Sequence, residues 1–126
     1  MKTTSYERMA VATEIWRQIR AGVGVTVIMS WGLSKRVATE YNGMPALLMR
    51  VTGLQHKGWV YVCLNYATDT YEVYLVTVRG AVKRHLDEVY CDNLGEMLDR
   101  LIERGYCSED AYYKAAMADS ARKFNR

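Results

Sequence analysis

An α+β fold is what this sequence predicts: a largely antiparallel meander of five or six strands, with one helix before it and two after it. Three observations carry the prediction. Strand-type segments run almost without interruption over residues 23–86. An Asn42-Gly43 pair, a loop at 53–58 and an Arg79-Gly80 pair punctuate that run as short turns. A helical stripe with its own capping signal lies on each side of it.

The first helix is announced by Thr4 and Glu7, a T-x-x-E pair that satisfies two orphan amides at a helix start. Met9, Ala12, Ile15, Trp16 and Ile19 follow at helical spacing as one apolar stripe. Gly22 and Gly24 are expected to end it, since glycine takes left-handed backbone angles at low cost. Residues 25–31, rich in β-branched side chains, read as a buried strand. Residues 35–41 admit a short helix capped by Ser34. The period-two run of Val37, Thr39 and Tyr41, directly before Asn42-Gly43, favours a strand entering a type I′ turn. Pro45 then falls near a strand start or at an edge, where its missing N–H does least harm.

Residues 46–52 and 59–65 are strands flanking the 53–58 loop, and residues 69–78 and 81–86 form a hairpin across Arg79-Gly80. In its first arm Glu72, Tyr74, Val76 and Val78 face one way; Tyr71, Val73, Leu75 and Thr77 face the other. Apolar residues on both faces indicate a central strand, or a sheet covered in part on both sides. The second arm alternates Lys83, His85 and Asp87 with Val82, Arg84 and Leu86, the pattern of an edge guarded by charge. Asp92 or Asn93 caps the next helix, in which Leu94, Met97, Leu98, Leu101 and Ile102 give the cleanest amphipathic stripe in the chain. Arg104 and Gly105 end it. A last helix over 108–124 carries acids at its start and bases at its end, which suits the helix dipole. Its stripe of Tyr113, Met117, Ala121 and Phe124 is thin, so it is docked loosely or used for contact with another chain.

The 126 residues make one domain, 1–126, with ordinary globular composition: half hydrophobic, a quarter charged, one proline. The net charge of +3 is mildly basic and unevenly spread. Residues 1–90 hold eleven Lys and Arg against seven acids, so any anion-binding surface is expected on the sheet. Cys63, Cys91 and Cys107 match no zinc spacing. The N-terminus lacks the apolar stretch of a signal peptide, and no apolar run is long enough to span a membrane. The expected setting is a reducing cytoplasm with free thiols and no membrane contact.

Chemistry is nearly blank. The sharpest local feature is His56-Lys57 between Gly53 and Gly58, which either presents an imidazole and an ammonium to an anion or is a polar turn with glycines at its ends. His56, Lys57, Arg79, Lys83 and Arg84 are the candidate anion or nucleic-acid contacts. His85 has no partner at a metal spacing, and no metal or cofactor is expected. Cys63 sits mid-strand among Val62 and Leu64, and acids surround Cys91, so neither is a candidate nucleophile. No catalytic residue is nominated, and an enzyme is the third reading. Trp59, Tyr61, Tyr71 and Tyr74 on neighbouring strands suit cross-strand packing, or stacking on unpaired bases. The helix–sheet–helix order is shared with double-stranded-RNA-binding domains. Their last helix starts with lysines, however, and here that turn reads Cys91-Asp92-Asn93-Leu94-Gly95-Glu96.

One longer pattern is familiar. It comprises Ser30-Trp31-Gly32, Leu48-x-x-Val51-x-Gly53-x-x-His56-Lys57-Gly58-x-Val60, Leu64-Asn65, Asp69-x-Tyr71 and Asp87-x-Val89-Tyr90. It resembles small uncharacterised proteins encoded by phages and mobile elements of gut Bacteroidetes, over roughly residues 25–104. The resemblance implies an intracellular accessory protein and transfers no activity to any residue. The expected function is therefore a non-catalytic binding module acting through a protein partner or through self-association. The alternative is a nucleic-acid binder that uses the basic end of the sheet.

Overall fold

The computed structural model describes residues 3–105 together with 114, 115, 117 and 118. Its elements are α1 (Ser5–Ser30), five strands and a short C-terminal helix. The strands are β1 (Lys35–Tyr41), β2 (Met44–Thr52), β3 (Lys57–Asn65), β4 (Thr70–Thr77) and β5 (Val82–Val89). The helix α2 (Leu94–Asp99) runs on into a π-helical turn (Arg100–Arg104). The strands form one antiparallel meander in chain order, β1-β2-β3-β4-β5, so the α+β class read from the sequence holds. The last helix expected over 108–124 lies outside the described residues but for four positions.

The Thr4–Glu7 box is formed. The Glu7 N–H donates to Thr4 Oγ1 at 3.0 Å, and the Thr4 N–H donates to Glu7 Oε1 at 3.3 Å. Ala12, Ile15 and Ile19 then bury the predicted stripe. The strand expected over 25–31 is instead helical. Gly24 does leave helical angles, at φ 80° and ψ 166°, but the chain bends there and re-enters a helix. Ile28 and Trp31 turn inward while Val25 and Met29 face solvent, a helical spacing hidden inside a β-branched run. Trp31 decides the outcome. Its ring is fully buried, and its Nε1–H donates to Asp99 Oδ1 at 2.9 Å, a bond that ties the end of this helix to α2. The sheet consequently has five strands.

At the first hairpin Asn42 and Gly43 both have positive φ, 50° and 77°, as a type I′ turn requires, and Tyr41 pairs with Met44 across it. Period-two alternation then divides the sheet. Leu47, Met49, Val51, Val60, Val62, Val73 and Leu75 point to the helices and meet Ile15, Ile19, Leu94, Leu98 and Ile102 in the main core. Ala46, Cys63, Tyr74 and Val76 point the other way, with Tyr41, Met44, Trp59 and Tyr61 packed against them. No helix among the described residues covers that second face. Asn93 stands at the N-cap of α2, but its Oδ1 accepts the Tyr90 N–H rather than an amide of the helix. The helix stops at Gly105, whose N–H reaches the Arg100 carbonyl at 2.9 Å.

Candidate functional site

The 53–58 loop is built around the end of α2. The Gln55 and His56 N–H groups both donate to the Ile102 carbonyl, at 2.9 and 3.2 Å. The Leu54 N–H donates to the buried Glu103 carboxylate at 2.7 Å. Gly53 is required by close approach: a Cβ there would stand 2.2 Å from the Ile102 oxygen. The loop is thus a clasp on the C-terminal helix, and that role corrects the reading of His56. Its side chain is 1% exposed, with Nε2 3.0 Å from the Trp59 carbonyl. Among the described residues Nδ1 finds no hydrogen-bond partner. Burial lowers its pKa against the opposing bond to Trp59, and the nearby Lys83 charge adds to the lowering. The imidazole therefore lies inside the protein and is not offered to an anion. The sequence signal was ambiguous because Ile102 lies far along the chain from the glycines it constrains.

The remaining candidates divide. Lys57 Nζ donates to the Gly53 carbonyl at 2.9 Å, and Lys83 Nζ donates to the Gln55 carbonyl at 3.1 Å, so both ammonium groups gather on the clasp. Arg79 is brought to a different place, a shallow depression of about 350 Å³ on the open face lined by Tyr41, Leu48, Trp59 and Tyr61. Arg84 is exposed on β5 opposite Leu75. The five residues do not converge on one point.

The open face itself groups aromatic and charged side chains. Trp59 has the Arg50 guanidinium 4.8 Å from its ring centroid and the Lys35 ammonium at 6.0 Å. Tyr41 stacks on Tyr61 with centroids 4.2 Å apart, and Tyr74 lies parallel to His85 at 4.1 Å. Glu72 anchors the far side, accepting from Asn65, Tyr74 and His85 at 2.7, 2.9 and 2.9 Å. Burial raises its carboxyl, but those three bonds outweigh it and hold the group below the usual carboxylate range. Glu72 is thus satisfied within the chain, while Lys35, Arg50 and Arg79 make the other side of the face positive. Sequence reasoning found Trp59, Tyr61 and Tyr74 but missed Tyr41, Lys35 and Arg50. The register set by Asn42-Gly43 was the signal, since counting back in twos from Tyr41 reaches Lys35 on the same face. Tyr71, grouped with these aromatics, belongs to the main core instead.

Burial pushes the Cys63 thiol up to about 12, and Glu72 adds to the rise, so it stays protonated near neutrality. Among the described residues no three His, Cys, Asp or Glu side chains are placed to hold a metal ion, and no helix is long and apolar enough to cross a membrane. Comparison with protein-family models, with curated proteins and with solved structures finds no match to this chain.

Proposed function

We propose that this protein is a non-catalytic binding module whose open sheet face docks an acidic segment of a protein partner, in the manner of an accessory protein. The observation that carries this is the composition of the face that no helix among the described residues covers: Trp59, Tyr41 and Tyr61 at the centre, Arg50, Lys35 and Arg79 around them. Trp, Tyr and Arg dominate the binding energy of protein interfaces, and a positive rim selects an acidic counterpart.

Nucleic acid is the second reading, favoured by the exposed basic residues of β5 and its turn. The ring geometry speaks for protein. Tyr41 with Tyr61, and Tyr74 with His85, cover each other, and Arg50 lies against Trp59. A base would have to displace these neighbours to stack.

The test is retention from native-host extract, compared between wild type and the variants Trp59→Ala and Arg50→Glu. The expected result is a captured protein that is lost with either variant, competed by polyglutamate and indifferent to nuclease. Retention of an oligothymidylate probe at physiological salt, lost on changing Lys83 and Arg84 to alanine, would replace this reading with nucleic-acid binding.

A further inference from the structure

The two edges of the sheet are treated differently. β5 carries register irregularities against β4, a positive φ at Glu88 and a row of charges, all of which discourage further pairing. β1 has no register shift and no positive φ, although it too carries charge at Lys35, Arg36 and Glu40. It keeps unbroken register with β2 over seven residues, and its first three residues are exposed.

Which backbone groups β1 turns away from β2 follows from the turn. Tyr41 and Met44 flank a two-residue type I′ turn, so they exchange both hydrogen bonds. Alternation then commits Thr39, Val37 and Lys35 to β2. The Ser34 N–H bond to the Arg50 carbonyl, 2.9 Å, agrees, because it places that carbonyl toward β1. The N–H and C=O groups of Arg36, Ala38 and Glu40 therefore point out of the sheet.

We propose that this edge pairs with β1 of a second copy of the chain, antiparallel about a two-fold axis at Ala38, giving a continuous ten-stranded sheet. In that register Ala38 faces Ala38 of the second copy, Arg36 faces Glu40, Val37 faces Thr39 and Lys35 faces Tyr41. The outward N–H and C=O groups are those that such bonded pairs use. Arg36 and Glu40 lie on the helix side of the strand, where Arg36 stacks on Trp16 at 4.1 Å and Glu40 accepts from Thr3 at 2.7 and 2.6 Å. Both copies thus bring opposite charges together across the axis, the self-complementarity a two-fold interface needs. The small side chain at the axis permits close approach. Beside it a groove of about 290 Å³, lined by Met9, Thr13, Trp16 and Arg36, opens next to Ala38. The exposed Met9 gives the second copy an apolar group to place there. The inference rests on the edge strand alone and is independent of what the open face binds.

Sedimentation of the full chain tests it. Wild type is expected to run at twice the monomer mass at tens of micromolar. Ala38→Pro removes an outward N–H and leaves the β1–β2 ladder intact, so it should give a folded monomer, with dimer affinity weakened about tenfold or more. Arg36→Glu alone and Glu40→Arg alone each set like charges across the axis and should be monomeric. Mixing the two single variants should restore a dimer, a rescue that does not depend on whether Ala38→Pro folds. A monomeric wild type at these concentrations overturns the proposal. So does a dimer that survives Ala38→Pro or both charge variants.

Discussion

His56 shows how a single side chain can look functional in sequence and be structural in the fold. Burial disfavours the charged form of its imidazole and lowers its pKa in the folded protein. The unfolded chain binds a proton more readily, near the ordinary histidine value of about 6.5. Stability is therefore full above that pH and falls as the solution is acidified through it, with a slope of at most about 1.4 kcal/mol per pH unit for one proton. Glu40 and Glu72 have lowered carboxyl pKa values, so their contribution is lost only at lower pH, below the ordinary carboxylate value of 4.5. Thermal melts between pH 7 and 5 should show the histidine slope in wild type and not in His56→Gln. An equal slope in both would mean that His56 is not the titrating group. The Trp31–Asp99 pair is a second residue-scale test. Asp99→Ala leaves a buried indole N–H without its acceptor, at a cost of about 1–3 kcal/mol. Asp99→Asn keeps an acceptor oxygen and should cost less. Equal denaturant midpoints for the two variants would argue that the bond contributes nothing.

Among the elements, those whose pattern is set by their own residues were legible, and those decided by distant contacts were not. The Thr4–Glu7 box, the Asn42-Gly43 turn and the two-sided alternation of β4 depend on neighbours in sequence, and each stands as read. Residues 25–31 offered a short β-branched run that reads locally as a strand, and the helix it forms was not read from it. Asp99, 68 residues beyond Trp31, settled it. The site shows the same division. The open-face aromatics were partly readable through period two, whereas the inward turn of His56 depended on Ile102. The helix α2 and its continuation supply the clearest element-scale prediction. Leu98 and Leu101 are buried against the sheet, so truncating either to alanine should cost roughly 2–5 kcal/mol. Melting within a degree or two of wild type for both would show that this helix contributes little.

On the scale of the whole molecule, one sheet serves two surfaces, a core beneath the helices and an aromatic face that no helix among the described residues covers. Cys63 lies on the second surface yet is fully buried beneath its side chains, while Cys91 is exposed. In a Cys107→Ser background, a thiol reagent should modify Cys91 at once and Cys63 only at the rate of unfolding. Equally rapid modification of both would mean that the aromatic layer does not exclude solvent.

The clasp on Ile102 bears on the order in which the chain is made. A nascent chain that has reached Val89 has all five strands. It still lacks the carboxylate that receives the Trp31 indole and the carbonyl that receives the Gln55 and His56 amides. Both arrive only with residues 99–102. Synthesis therefore supplies the residues of all five strands before the groups that hold the 53–58 loop and the bend after Gly24, so a chain cut short before residue 99 lacks both anchors.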